Sequence, residues 1–184
     1  MNTKRNFIKQ FLKDKKMVGA VSPSTKFLGK KMLKNIDFSS SKIIVELGPG
    51  TGIFTDMIIQ RMAPDAKLFL FELNDDFHNT LAARISDPRV KIFHESAESI
   101  QSKLDQGEQA DVVISSLPLM VFPETLRKNV VSESYKSLKK DGIYIQFQYS
   151  LQSKKLLEAT YKKVSLSFTI KNLPPAFVYT CYKT

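Results

Sequence analysis

Lys42-Ile43-Ile44-Val45-Glu46-Leu47-Gly48-Pro49-Gly50-Thr51-Gly52 is the stretch on which the fold of this chain turns. Ile43, Ile44 and Val45 form a short run of β-branched residues, the pattern of a buried strand. Glu46 closes the run, and glycines follow at alternate positions, Gly48, Gly50 and Gly52. Ile53, Phe54, Met57 and Ile58 then fall at helical spacing. The predicted unit is strand, glycine turn, helix. Glycine at such a turn permits positive φ and lets a ligand come within van der Waals range of the backbone. The dinucleotide form of the turn needs a small residue where this chain has Ile53, and a phosphate loop needs Gly-Lys-Ser/Thr, which does not follow.

A second signal lies downstream. Residues 67–73 (KLFLFEL) read as the next strand, ending in Glu72, 20 residues after Gly52. A carboxylate at the tip of the second strand can accept both hydroxyls of a ribose. Together, Glu-x-Gly-x-Gly-x-Gly and Glu72 resemble motif I and its partner acid in the class I S-adenosylmethionine-dependent methyltransferases. The resemblance implies S-adenosylmethionine as cofactor, held by Glu46, Gly48, Gly50, Thr51, Gly52, Glu72 and Leu73. It adds Ser96 and Ala97 at the adenine edge and Ser115 at the end of the fourth strand. A plain helix cap at Ser96 is equally compatible with the sequence.

The 184 residues suit one domain with a real core. A single cysteine, Cys181, excludes an internal disulfide, and with only His78 and His94 no metal site is expected. No run of 18 apolar residues is present and the N-terminus lacks a signal-peptide core, so a cytoplasmic, monomeric protein is expected. The net charge of +10 is uneven: +9 over residues 1–35, −6 over 36–122 and +7 over 123–184. Basic ends around an acidic middle point to an anionic partner, a phospholipid surface or RNA.

Residues 3–17 read as a helix with Phe7, Ile8, Phe11 and Leu12 on one stripe and Lys4, Arg5, Lys9 and Lys13 around it. Such a helix either lies in an anionic membrane interface, making the protein peripherally membrane-associated, or docks its stripe on the core. Ser22 caps a second helix starting at Pro23, with Phe27, Leu28 and Met32 or Leu33 inward. Residues 1–38 are therefore expected to form a basic helical cap and membrane-contact segment, and 39–184 the catalytic domain. Further on, helices are expected over 53–62, 75–85, 123–138 and 153–161, and strands over 90–93, 111–114, 143–149, 164–170 and 177–182. Lys139 to Gly142 reads as a turn. Five β-α units ending in two consecutive strands match an α/β, Rossmann-like class I methyltransferase sheet. That sheet has seven mostly parallel strands, the last antiparallel, with helices on both faces.

The acceptor is read at the end of the fourth strand. Adenine N6 methylases carry Asn/Asp-Pro-Pro-Tyr/Phe there, and ribosomal RNA adenine dimethylases Asn-Leu/Ile-Pro-Tyr/Phe, so that an amide binds the amine and an aromatic stacks on the base. This chain has Ser116-Leu117-Pro118-Leu119, with neither. The whole chain resembles the bacterial phospholipid N-methyltransferases related to those dimethylases. The resemblance rests on Gly19-Ala20-Val21-Ser22-Pro23-Ser24, Glu46 to Gly52, Ser115 to Leu119, Gln146-Phe147-Gln148-Tyr149 and Asn172 to Tyr179. Serine at 116 stands where that family usually has glycine.

The resemblance implies methyl transfer to the amine of an amino phospholipid, such as phosphatidylethanolamine, or of another amino lipid, with Ser116 to Leu119 on the substrate. Ribosomal RNA adenine is the alternative acceptor, and a non-catalytic lipid- or RNA-binding module on the same fold a further one. An apolar mouth of Leu117, Leu119, Met120 and Phe122 would lower the amine's pKa by desolvation. Tyr149 and Tyr179 are the candidates for headgroup contact, with core packing as their other reading. No general base is assigned.

Overall fold

The computed structural model describes residues 23–172 and 174–184. Helix α1 (Pro23–Met32) and a 3-10 turn (Leu33–Asn35) precede strand β1 (Ile43–Leu47). Then come α2 (Ile53–Ile59), β2 (Lys67–Phe71), α3 (Asp75–Arg84), β3 (Val90–Phe93), α4 (Ile100–Lys103) and β4 (Ala110–Ser115). The chain ends with α5 (Glu124–Ser137), β5 (Leu138–Gln148), α6 (Lys154–Thr160), β6 (Lys163–Thr169) and β7 (Ala176–Tyr182). The strands form one seven-stranded sheet in the order β3-β2-β1-β4-β5-β7-β6. β1 to β5 run parallel, and β7 is antiparallel to both β5 and β6. This is the mixed Rossmann-like sheet that the glycine turn and strand count predict.

Parallel central strands are buried on both faces and so read as unbroken apolar runs. β1 is buried along all five residues. Ile43, Val45 and Leu47 enter one core with Leu126, Val130 and Leu157 from α5 and α6. Ile44 enters the other with Leu28 and Met32 of α1 and Phe54 and Ile58 of α2. Full burial of such side chains contributes roughly 1.5–3 kcal/mol each. The entry of β1 is fixed by Asp111 of β4, whose Oδ2 accepts from the amides of Lys42 (2.8 Å) and Ile43 (2.7 Å).

Three expectations need correction. Lys139 to Gly142 is no free turn: β5 runs through it, pairing Leu138 with Ala110 and Ile143 with Val112. The extra residues are absorbed as a bulge with Asp141 at φ 63°, so turn-forming residues mark a kink in a strand. Phe27 faces outward, 46% exposed, with the Lys171 ammonium 5.5 Å from its ring centre; Leu28, Met32 and Leu33 supply the inward face. Helix α2 ends at Ile59, three residues short of Met62. The first predicted helix, with Lys4, Arg5, Phe7, Ile8, Lys9, Phe11, Leu12 and Lys13, lies outside the described residues, as does Ser22.

Candidate active site

Strand order reverses between β1 and β4, one leading outward through β2 and the other through β5. In open α/β sheets ligands bind outside the carboxyl ends of the strands at such a point. A cavity of about 210 Å³ opens there.

One wall is backbone and carboxylate. Gly48, Gly50 and Gly52 all take positive φ (65°, 57° and 82°), which an L-side chain resists. A Cβ on Gly50 would meet nothing within 4 Å, so the turn leaves open space where a ligand can approach. Glu72 follows the tip of β2 and is only 2% exposed. Its Oε2 accepts from the Gly50 amide at 3.0 Å and its Oε1 from the Asn74 amide at 2.8 Å. Burial pushes its carboxyl above the ordinary value, opposed by those backbone donors. The Leu73 amide is a third backbone donor to the carboxylate, which still has room for a further one. Leu73, Ser96 and Ala97 continue this wall with Thr51. The Ser96 hydroxyl accepts from the Glu98 amide at 3.2 Å, the cap that the sequence left open.

The rest of the lining is largely hydrocarbon: Leu117, Phe122, Leu126 and Val130 pack in one core with Ala97, and Phe147 packs edge-on against Phe54 of α2. It is carried by the loop after β4, by α5 and by β5. The loop is held from beneath. Ser116 N donates to Leu47 O at 2.9 Å, extending the β1–β4 ladder past Ser115. Leu117 N donates to Ser115 Oγ at 3.3 Å. Leu117 O accepts from Gln146 Nε2 and Gln148 Nε2, each at 3.0 Å, and from Leu119 N at 2.9 Å. Tyr144 closes the chain by donating to Gln146 Oε1 at 2.7 Å.

Of the residues singled out from sequence, Gly48, Gly50, Thr51, Glu72, Leu73, Ser96, Ala97, Ser116, Leu117, Pro118 and Tyr149 line the cavity. Glu46, Gly52, Ser115, Leu119 and Tyr179 do not; they stand behind it. Glu46 points into the core facing α2, where its Oε2 accepts from Thr55 Oγ1 at 2.7 Å. Complete burial pushes its carboxyl up to about 8. Leu119 is wholly buried. Tyr179, read as a headgroup candidate, is fully buried as well, and its hydroxyl donates to Ser150 O at 3.3 Å. Strand pairing with Gln146 carries it into the core, which is the packing role the sequence also allowed. Tyr149 is 46% exposed at the mouth beside Asn172; burial raises its hydroxyl above the ordinary value, and a hydrogen bond with Asn172 opposes the shift.

Sequence reasoning quoted Gln146 and Gln148 but gave them no role. Their signal was present: amides at period two in an otherwise apolar strand share a buried face and must find partners. Phe77, Leu126 and Val130 were missed, since apolar residues on amphipathic helices look alike whether they face core or cavity. Among the described residues no cluster of three or more His, Cys, Asp or Glu is placed to hold a metal ion. No helix among them is long and apolar enough to cross a membrane.

A glycine turn, a carboxylate one strand away and a cavity at the switch point define a nucleoside-binding α/β enzyme of the methyltransferase class. Residues 44–142 match the family described as the methyltransferase domain, and the chain belongs to that family. It is 28% identical over 179 residues to the ornithine lipid N-methyltransferase of Singulisphaera acidiphila, covering 95% of this chain and 93% of that protein. Its fold is similar to the 1,6-didemethyltoxoflavin-N1-methyltransferase of Burkholderia thailandensis solved with its substrate and S-adenosylhomocysteine. That match has a TM-score of 0.73 at 13% identity, with 98% of this chain and 87% of that one covered. The N-methyltransferase NodS of Bradyrhizobium japonicum with S-adenosylhomocysteine superposes with a TM-score of 0.72 at 9% identity, over 100% and 99% of the two chains. The protein is an S-adenosylmethionine-dependent methyltransferase, and the open glycine turn beside Glu72 fits that cofactor.

Proposed function

We propose that the protein methylates the amine of an amino lipid, phosphatidylethanolamine or a lipid with a similar amino headgroup. The observation that carries this reading is the hydrocarbon lining of Leu117, Phe122, Leu126, Val130 and Phe147 beside the glycine turn and Glu72. Ser116 to Leu119, at the end of β4, offer neither the amide nor the stacking aromatic with which a base would be read there. Likeness over nearly the whole chain to an ornithine lipid N-methyltransferase supports it.

In this reading Glu72 takes the ribose hydroxyls, the Gly48–Gly52 turn lies against the amino-acid moiety, and Ser96 and Ala97 face the adenine. When bound, S-adenosylmethionine supplies a methyl already activated by the sulfonium. The chain's work is to exclude water and hold the amine in line with that methyl. The apolar wall favours the neutral amine over the ammonium, so the proton leaves to solvent before transfer. With the cofactor bound, the amine's lone pair would take the methyl in exchange for its bond to sulfur, the apolar residues keeping water from competing. Glu72 and Glu95 are the carboxylates that line the cavity, and neither is assigned as a base.

Lys4, Arg5, Lys9 and Lys13, with the Phe7, Ile8, Phe11 and Leu12 stripe, are proposed to hold the protein at an anionic membrane surface, with each basic residue near that surface contributing about 1 kcal/mol. The net charge of +10 favours RNA as the second reading. Purified protein incubated with methyl-labelled S-adenosylmethionine, phosphatidylethanolamine vesicles and unmodified ribosomal RNA separates the two. Label in the lipid supports the proposal; label in the RNA alone refutes it.

A further inference from the structure

We infer that the exposed apolar row of β6, Leu166, Phe168 and Ile170, with Lys171 just beyond it, rests in an anionic lipid surface and turns the cavity mouth toward the bilayer. The orientation rests on the amino-lipid reading above. Single exposed hydrophobic side chains are ordinary, whereas a contiguous set marks a binding surface. These three alternate along the chain, so they share one face of the strand. They are 40%, 50% and 75% exposed, and Ile170 is the most exposed large hydrophobic among the described residues. Leu166 pairs with Tyr179 and Phe168 with Phe177, on the face that α5 and α6 cover elsewhere. Phe168 touches Phe177, with ring centres 4.8 Å apart. Yet α6 spans only seven residues, and within β6 it is Val164 that packs against that core. β6 is also the edge of the sheet. Edge strands are commonly guarded by charge, proline or a covering helix; the second half of this one presents hydrocarbon instead.

Charge and placement choose a membrane as the occupant. Residues 159–184 hold four lysines and no acid. The Lys171 ammonium lies over Phe27 of α1, and Lys26 and Lys30 beside that ring are exposed. A second copy, or the basic residues 1–22, would bring like charge to this edge; an anionic headgroup layer complements it. As for placement, β5 and β6 both run antiparallel to β7, so both finish at the end of the sheet where the cavity opens. Two residues past Ile170, Asn172 lines that cavity with Tyr149. A lipid whose acyl chains stay in the bilayer reaches the cavity only when the mouth faces the bilayer. Hydrocarbon and cationic charge at the rim set that orientation, since interfacial binding grows with buried apolar area and with attraction to anionic lipid.

The chain has no tryptophan, so Ile170→Trp places a single indole in the row. The full chain carrying it is mixed with vesicles of phosphatidylglycerol and phosphatidylcholine, and with phosphatidylcholine vesicles alone. The indole emission should shift to the blue with the anionic vesicles only, and brominated acyl chains should quench it. Emission that stays unshifted while the protein sediments with the vesicles would overturn the inference, as would failure to bind them. So would a blue shift without vesicles, which means that a second copy covers the row if the shift grows with protein concentration, and residues 1–22 if it does not. In a second variant, Leu166→Ser with Ile170→Ser, kcat/KM on phosphatidylethanolamine in anionic vesicles should fall at least about tenfold. On a short-chain phosphatidylethanolamine below its critical micelle concentration it should not change, nor should the unfolding midpoint. Equal losses on both lipids would make the row structural and overturn its role at the membrane. A wild-type protein that methylates no amino lipid would instead overturn the reading of the acceptor, and the indole would still decide the surface.

Discussion

Around the cavity, Gly48, Gly50 and Glu72 present bare backbone and a carboxylate, while Leu117, Phe122, Leu126 and Phe147 present hydrocarbon. The polar side comes from one strand-turn-helix unit and the strand beside it, residues close together in sequence. The apolar side is assembled from the loop after β4, helix α5 and strand β5, brought together by the sheet. The polar side recognises a cofactor shared by many enzymes, and its chemistry requires particular residue types at fixed spacing. In the proposed reading the apolar side receives the acceptor, and many combinations of side chains can build such a surface.

The largest break in that comparison should come from Glu72→Ala. With the carboxylate gone, S-adenosylhomocysteine should bind about a hundredfold more weakly by calorimetry, while the KM for lipid at saturating cofactor stays put. Unchanged cofactor affinity would mean that the polar half has been misassigned. Next comes Gly48→Ala. A Cβ there would stand 2.7 Å from Leu117 Cδ2 at a φ of 65°, so the substitution strains the turn and pushes on the apolar half at once. Chemical denaturation should report a loss of about 1–2 kcal/mol, with lipid turnover impaired as well. Gly50→Ala, whose Cβ meets only open space, should leave the apolar half alone and weaken cofactor binding.

A smaller effect is expected from Gln148→Leu, which removes one of the donors to Leu117 O. The loop after β4 is loosened but still held by Gln146, so kcat should fall by about fivefold, the scale of one neutral hydrogen bond, with cofactor affinity unchanged. Equal falls in both would make the glutamines structural rather than positioning. The smallest effect on either side of the cavity is that of Glu46→Gln, which changes stability with pH instead. In the folded chain Glu46 stays protonated until about 8, against an ordinary value of 4.5, so the unfolded state ionises first. Wild-type stability therefore drains away as pH rises between those values, and the buried Glu72, shifted the same way, adds to the trend in both proteins. Melting curves should show little difference at pH 5 and the Gln variant ahead at pH 8; a gap independent of pH would contradict a protonated Glu46.

The fold was legible because the buried parallel strands wrote themselves as apolar runs and the glycine turn stated its own geometry. The bulge at Lys139 to Gly142 was not, because Asp and Gly at a positive-φ position look the same in a turn and inside a kinked strand. On the cofactor side, Glu72 was legible through its spacing from the turn, whereas Glu46 belongs to the same motif yet serves the core, a difference set by which face of β1 it occupies. Tyr149 and Tyr179 share the same chemistry and part company through strand pairing alone. The support of Leu117 O by Gln146 and Gln148 depends on β5 lying beside β4, a neighbour relation that local sequence does not state.

The most direct test of a polar cofactor half beside an apolar acceptor half is a competition for the methyl group. A diacyl amino lipid in mixed micelles and its deacylated, water-soluble headgroup would be offered together with labelled S-adenosylmethionine. Both bear the same amine, and only the lipid carries hydrocarbon for the Leu117–Phe147 wall. Burial of a few methylenes predicts a preference for the lipid of at least about a hundredfold in kcat/KM. Equal labelling of the two would mean that the apolar wall takes no part in choosing the acceptor, and the account would fail.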